Sequence, residues 1–117
     1  MAQPQAFLPL TPAVFHILLA LADADRHGYA ISQEVAERTD RQVRLGPGTL
    51  YGTLGRMVEA GLIEERARAA SRATAADERR RYYGLTALGR EVARAEARRL
   101  HQLVDMARSK ALLSPKR

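Results

Sequence analysis

A mainly helical fold with a small β-hairpin wing is predicted by three features of the sequence. Apolar residues recur at helical spacing in three short segments of the N-terminal half and in one long C-terminal segment. Between the third of the short segments and the long C-terminal segment, residues 62–66 and 81–85 have the composition of two strands. Glycine, proline and threonine stand at the expected ends of the helices. This order is that of a winged helix-turn-helix domain followed by a long helix.

The length of 117 residues leaves room for a single domain. We divide the chain at the changes of pattern into a flexible N-terminal arm (1–10), a winged helix-turn-helix domain (11–86), a C-terminal dimerisation helix (87–113) and a tail (114–117). The arm contains Pro4 and Pro9 and has no periodic apolar pattern, so we expect it to be extended or frayed.

The first helix is predicted to begin at Thr11-Pro12. Threonine is a good N-cap, and proline is favoured at the first helical position because an N–H there has no partner within the helix. Apolar residues then recur on one face, at Val14, Ile17, Leu18 and Leu21. We expect this helix to end between Ala22 and Asp25.

The second and third helices form the predicted helix-turn-helix pair. The second begins at Gly28 and directs Ile31 and Val35 inward. The third begins at Pro47 and ends at Gly61, a residue suited to the left-handed conformation that closes a helix. Its buried stripe is predicted to consist of Leu50, Leu54, Met57 and Val58.

The two predicted strands form the wing. The segment between them (67–80) is too long for a tight turn, and we interpret it as the wing tip. Because side chains alternate along a strand, one of the rings of Tyr82 and Tyr83 is expected to point inward and the other outward. Thr86 provides an N-cap for the last helix.

The outward face of the third helix is the predicted DNA-reading surface. Small and polar side chains opposite the apolar stripe allow a helix to enter a major groove about 12 Å wide. The candidate DNA-binding residues of this helix are Gly48, Thr49, Tyr51, Gly52, Thr53 and Arg56. Gly52 and Gly55 each cost a helix about 1 kcal/mol relative to alanine, which favours the close approach of another molecule over a merely solvated face.

Arginines of the wing form the second candidate surface. The predicted DNA-binding residues there are Arg66, Arg68, Arg79, Arg80 and Arg81. Arginines on a hairpin beside a recognition helix can bind phosphates or enter the minor groove. A solvated loop is the alternative interpretation.

The last helix is predicted to pair with a second copy of the chain. From Ala87 to about Leu113 it would be about 40 Å long, which exceeds what a head of three short helices can cover. The candidate dimer-interface residues are Val14, Leu18, Val92, Leu100, Leu103, Val104 and Ala107. A ligand pocket between the two last helices is the alternative for part of this surface.

The composition favours a nucleic-acid partner and disfavours other classes of function. The formal net charge is +6, and positive charge attracts polyanions such as DNA. The chain has no cysteine, and His16, His27 and His101 lack the spacing of a metal site, so we expect no metal, no cofactor and no enzymatic activity. No segment has the pattern of a membrane span or a signal peptide, so we expect a cytoplasmic protein.

Short motifs follow one another along the chain, namely His27-Gly28-Tyr29 with Ile31, Gly48-Thr49-Leu50-Tyr51, Leu54, Arg56-Met57, Gly61-Leu62-Ile63, and Arg81-Tyr82-Tyr83-Gly84-Leu85-Thr86 with Gly89. Together they resemble the motifs of the PadR-like transcriptional regulators, from about Leu10 to the C-terminus. Two features depart from that pattern. Gly52 stands where many relatives have proline, and the chain lacks the tryptophan on which some relatives stack flat ligands.

The resemblance implies a winged helix-turn-helix repressor that dimerises through its C-terminal helix with help from the first helix. It also implies inverted-repeat operators and release from DNA by small aromatic molecules. Together with the residue patterns, it leads us to expect a sequence-specific regulator that binds double-stranded DNA as a homodimer. The alternative is a winged-helix adaptor that binds a protein partner through its basic face, and the existence of a small-molecule effector stays open.

Overall fold

The computed structural model describes residues 3–67 and 81–115. Within these ranges the elements are, in chain order, a 3-10 helix (Pro4–Phe7), α1 (Pro12–Leu21), β1 (Arg26–His27), α2 (Gly28–Arg38), α3 (Pro47–Glu59), β2 (Ile63–Arg66), β3 (Tyr82–Leu85) and α4 (Ala87–Ser109). This order confirms the prediction of a mainly helical fold with a small β wing. The predicted wing tip lies outside the described residues, apart from its first residue, Ala67.

The predicted ends of α1 and α3 are confirmed by their hydrogen bonds. The Thr11 hydroxyl accepts a hydrogen bond from the Val14 N–H at 3.3 Å. At the end of α3, Gly61 has a φ of 81°, and the Leu62 N–H donates to the Met57 carbonyl at 3.0 Å. In this closure a left-handed glycine pairs the last carbonyl groups of the helix.

The hydrophobic core lies between α1, α2, α3 and the first half of α4. Its buried side chains include Ile17, Leu18 and Leu21 of α1, Ile31 and Val35 of α2, Leu50, Leu54 and Met57 of α3, and Val92 of α4. The apolar periodicity therefore identifies the inward faces of the first three helices. The prediction for Val58 is wrong, because it lies at the edge of the stripe and is 37% exposed.

The sheet consists of three antiparallel strands in the order β1-β3-β2 within the described residues. β1 pairs Arg26 with Tyr83 and His27 with Tyr82, which makes β3 the central strand. The sequence pattern does not predict β1, because a strand of two residues has no measurable period. The expectation of one outward ring is also wrong, since both tyrosines are buried. Tyr83 joins the core, and the Tyr82 ring meets the His27 ring edge to face at 5.3 Å.

The end of α3 is hydrogen-bonded to the start of α4. The Thr86 hydroxyl donates to the Gly61 carbonyl at 2.6 Å and accepts from the Gly89 N–H at 3.0 Å, which confirms Thr86 as the N-cap of α4. The Thr86 N–H donates to the Leu62 carbonyl at 3.1 Å. A Cβ at Gly89 would overlap this Leu62 carbonyl, so the close junction requires glycine.

From residue 3 onward the N-terminal arm is folded onto the domain, and the expectation of an extended or frayed arm is wrong there. The 3-10 helix packs against α4, and Phe7, Leu8 and Leu10 pack against the core. The Leu10 N–H donates to a carboxylate oxygen of Glu96 on α4 at 2.8 Å. These apolar side chains and this hydrogen bond fix the arm, although the prolines prevent a regular α-helix.

Two of the predicted dimer-interface residues are wrong. Leu18 and Val92 have no exposed surface within a single chain, so their side chains cannot contact a second copy. An apolar pattern does not distinguish burial within one chain from burial between two chains. The other five residues keep accessible surface in the single chain, and they are Val14, Leu100, Leu103, Val104 and Ala107.

The last helix is shorter than expected. α4 ends at Ser109 rather than near Leu113, so its 23 residues span about 34 Å. Exposed apolar side chains nevertheless remain on its second half, at Leu103 and Met106. Of the helices in the described ranges, none is both long enough and apolar enough to cross a membrane.

Candidate nucleic-acid interface

The exposed face of α3 is the centre of the candidate site. Leu50, Leu54 and Met57 are buried, and this orients the opposite side of the helix toward solvent. The exposed residues of that side are Gly48, Thr49, Tyr51, Gly52, Gly55 and Arg56. Five of the six residues predicted to bind DNA through this helix are therefore accessible, and Thr53 is the exception.

Glycines make this face of the helix slim. Gly48, Gly52 and Gly55 are spaced four and three residues apart, so they lie along one side of α3. A Cβ added to Gly48 or Gly55 would meet no atom within 4 Å, and one added to Gly52 would meet only an Arg56 guanidinium nitrogen, at 3.5 Å. Packing within the described part of the chain thus gives no reason for glycine at these three positions.

Thr53 is buried, which corrects the prediction that it contacts DNA. It is 3% exposed because it is three residues from Leu50 and four from Met57, on the core side of the helix. Its hydroxyl accepts a hydrogen bond from the Arg56 guanidinium at 3.1 Å. Thr53 therefore positions Arg56, whose side chain extends back along the helix over Gly52.

Tyr51 is held at the base of α2 while half of its surface stays accessible. A Cβ at Gly28 would lie 2.6 Å from the Tyr51 hydroxyl and 2.8 Å from a carbon of its ring. Glycine at position 28 thus lets the first turn of α2 pack directly against the tyrosine. Tyr51 is 54% exposed, so its ring has one packed side and one free side. In the sequence Gly28 is recognisable as a helix start and as the centre of the motif His27-Gly28-Tyr29, but its packing against Tyr51 is not.

The start of α2 is fixed by His27. Its imidazole Nδ1 accepts a hydrogen bond from the Ala30 N–H at 3.2 Å, as an N-cap does. The same residue belongs to β1 and touches Tyr82 of the central strand. His27 therefore joins the sheet to the helix pair, a structural role that has no signal in the sequence.

Arg66 forms ion pairs within the wing while 37% of its side chain stays exposed, and its contact with DNA stays a prediction. Its guanidinium pairs with Asp25 at 2.9 Å and with Glu64 at 3.0 Å, and it donates to the Leu85 carbonyl at 2.6 Å. The hydrogen bond with Glu64 is the main cause that raises the pKa of Arg66. A Cβ at Gly84 would overlap both Arg66 and Asp25, so the missing side chain leaves the space in which this ion pair forms.

Of the remaining predicted wing arginines, Arg81 lies within the described residues. Arg81 is 78% exposed and pairs with Glu65 at 3.4 Å, so its charge is accessible at the base of the wing. Arg68, Arg79 and Arg80 lie outside the described residues. Nearby, burial is the main cause that raises the pKa of Tyr83 above its ordinary value.

Two curated relatives have sequences similar to this chain. A 37.1 kDa protein of a transposon in Streptomyces fradiae is 37% identical over 90 residues, which are 74% of this chain and 22% of that protein. Protein X of Lysinibacillus sphaericus is 35% identical over 75 residues, which are 63% of this chain and 64% of that protein. The chain thus spans less than two thirds of the length of either relative.

The fold and a family model complete the comparison. A crystal structure of a PadR family transcription regulator from Clostridium difficile is similar to this structure with a TM-score of 0.73 and 25% sequence identity. The match covers 86% of this chain and 99% of that one. The model of the transcriptional regulator PadR-like family matches residues 17–95, which is more than half of the chain. The chain therefore belongs to the PadR-like family, whose members are regulators of transcription rather than enzymes.

Proposed function

We propose that this chain is a sequence-specific regulator that binds double-stranded DNA through α3. The observation that carries the proposal is the exposed glycine side of α3, which no packing within the described chain explains. A helix with glycines along one side of its outer face can lie deep in a major groove, close to the base edges. PadR family regulators bind DNA and typically act as dimers, which supports the same assignment.

Arg56 is the proposed base-reading residue. Its guanidinium lies over the glycine side of α3 and is held there by the Thr53 hydroxyl at 3.1 Å. Arginine can donate two hydrogen bonds to the acceptors of guanine in the major groove. Tyr51, with one side of its ring packed and its hydroxyl near the helix edge, is suited to a phosphate.

A homodimer is the proposed assembly. Leu103 and Met106 are exposed on the second half of α4, where the arm and the core no longer cover the helix. Pairing of two such helices would bury these side chains and place two copies of α3 on one face of a duplex. Recognition helices of dimers occupy successive major grooves about 34–36 Å apart, so the proposed operator is an inverted repeat. Binding there would repress transcription by excluding other proteins from the site.

Release by a small aromatic ligand is the proposed regulation. A cavity of about 240 Å³ lies between the arm and α3, with a mostly apolar wall that includes Phe7, Leu10, Met57 and Arg56. It is smaller than the ~300–1,000 Å³ of pockets for drug-sized ligands, so it suits a compound with a single ring. A ligand there would contact the base-reading arginine directly.

A titration of labelled duplexes tests the proposed function. The DNA upstream of the chain's own coding sequence is titrated with wild-type protein, Arg56→Ala, and a control, Arg98→Ala, that removes an exposed charge of α4. We expect a salt-dependent, sequence-preferring complex that Arg56→Ala weakens by about 1–3 kcal/mol and the control leaves unchanged. No complex below micromolar protein would contradict the proposal and support the adaptor that binds a protein partner.

A further inference from the structure

A second basic surface lies beside α3, along the outer side of α2. A cleft of about 280 Å³ separates α2 from the loop that leads to α3. Its lining includes Tyr29, Gln33 and Glu37 of α2 and Arg41 and Arg44 of the loop. We propose that this cleft binds phosphate groups of the DNA backbone, with Arg41 and Arg44 as the principal contacts. This inference rests on the proposed function and adds a surface that α3 and the wing do not contain.

The loop is held in place by Thr39 at the end of α2. The Thr39 hydroxyl donates to the Val35 carbonyl at 2.8 Å and accepts from the Val43 N–H at 3.0 Å. The Arg41 N–H donates to the Ala36 carbonyl at 2.7 Å, with Arg41 in the left-handed region at a φ of 63°. These bonds fold the loop back along α2, so the cleft has two fixed walls.

The alternation of side chains in the loop directs Arg44 outward. Val43 and Leu45 pack against the hydrophobic core, and Arg44 between them is exposed. The backbone at Arg44 is thus anchored on both sides, and only the side chain has to be ordered when a phosphate binds. Anchoring of this kind lowers the entropic cost of the contact.

The two arginines of the cleft have charges that are not neutralised within the described chain. Arg38 and Arg66, by contrast, each pair with a carboxylate, at Glu34 and at Asp25. Neither Arg41 nor Arg44 forms an ion pair with any residue that the structure describes. Guanidinium groups without an internal partner are the ones available to bind a phosphate.

Tyr29 adds a third donor to the cleft. It is 63% exposed, and its hydroxyl oxygen accepts a hydrogen bond from the Gln33 side chain at 3.0 Å. The Tyr29 hydroxyl can accept this hydrogen bond and donate its own hydrogen to a ligand in the cleft at the same time. The donors of the cleft therefore match an acceptor-only ligand, and phosphate is such a ligand.

The position of the cleft fits a duplex that α3 has already engaged. In helix-turn-helix proteins the first helix of the pair crosses the DNA backbone while the second lies in the groove. Here α2 is that first helix, and Arg44 is two residues from Gly46, which precedes α3. A strand whose bases meet the start of α3 would thus pass its phosphates over the cleft. Glu37 is an exposed carboxylate in the same cleft and opposes this binding.

The salt dependence of DNA binding tests the inference. The probe is a duplex selected for binding to wild-type protein, and its affinity is measured by fluorescence anisotropy at several salt concentrations. The variants are R41Q/R44Q and Glu37→Gln, and the matched control is R94Q/R98Q on α4, which removes the same two charges. Thermal unfolding verifies that each variant is folded.

We expect R41Q/R44Q to weaken binding to the selected duplex and to make that binding less dependent on salt. Loss of two phosphate contacts in each subunit lowers the slope of log affinity against log salt by about 3 to 4 in a dimer, since each contact contributes about 0.9. Glu37→Gln should bind several-fold more tightly, a gain that misfolding cannot produce. An unchanged slope, or an equal loss in R94Q/R98Q, overturns the inference while the proposed function stands. Failure of wild-type protein to bind any duplex overturns both.

Discussion

Replacing Gly55 by alanine should make the protein more stable and a weaker DNA binder. Gly55 lies inside α3, is exposed, and has no atom within 4 Å of where a Cβ would stand. The methyl group therefore meets no obstacle in the free protein, and the helix gains the full difference in propensity between glycine and alanine, about 1 kcal/mol. In the groove the same methyl would stand between the helix and the base edges. We expect affinity to fall by about tenfold or more, which corresponds to ~1.4 kcal/mol.

Stability is measured by urea unfolding, and affinity is measured by a DNA titration. All variants are unfolded at the same protein concentration, because the stability of the proposed dimer would depend on concentration. The matched control is the reverse change on another helix, Ala97→Gly, at an exposed position of α4. It should lose about 1 kcal/mol of stability and keep its affinity for DNA. If Gly55→Ala gains stability and binds DNA as tightly as the wild type, the glycine side of α3 does not lie in a groove.

Three further changes test the folded state. Gly89→Ala should cost about 1–3 kcal/mol in urea unfolding, because its Cβ overlaps the Leu62 carbonyl, which cannot move aside as a side chain can. Full stability in this variant would contradict the tight junction. Glu96→Gln should cost about 1–3 kcal/mol at pH 7. The hydrogen bond with Arg99 is the main cause that lowers the pKa of Glu96, so the difference from wild type should shrink as the pH falls below about 4. A pH-independent difference would refute this. His27→Ala should lose about 1 kcal/mol or more of capping energy, and His27→Asn should recover the capping part, as measured by thermal unfolding. Equal stability of the two variants would argue against the cap.

The elements that the sequence predicts well are those with strong local signals. Thr11 and Gly61 mark helix ends because capping depends on residues within one or two turns. The inward faces of α1, α2 and α3 follow from apolar periodicity for the same reason. β1 has no such signal, since its two residues are held by pairing with Tyr82 and Tyr83, more than fifty residues away.

Sequence reasoning identified residues of the candidate site correctly only where the exposure of a side chain follows from its position on a helix. Gly52 and Arg56 are accessible as expected because they lie opposite the apolar stripe. Arg66 looks like any other arginine of the wing in the sequence, and only the fold brings Asp25, 41 residues earlier, into contact with it. Leu18 was predicted to lie in the dimer interface but is buried within its own chain. A hydrophobic pattern predicts that a side chain is buried, but it does not indicate which chain buries it.

The hydrogen-bonded junction between α3 and α4 holds the two helices in a fixed relative orientation, so that they would move together as one rigid unit. Thr86 binds the turn that ends α3 through both its hydroxyl and its N–H. Gly89 has no side chain, which lets the first turn of α4 pack directly against the Leu62 carbonyl of that turn. In the proposed dimer, the angle at which the two α4 helices cross would consequently fix how far apart the two α3 helices stand. Side chains such as Leu103, remote from any base pair, would then determine the number of base pairs between operator half-sites.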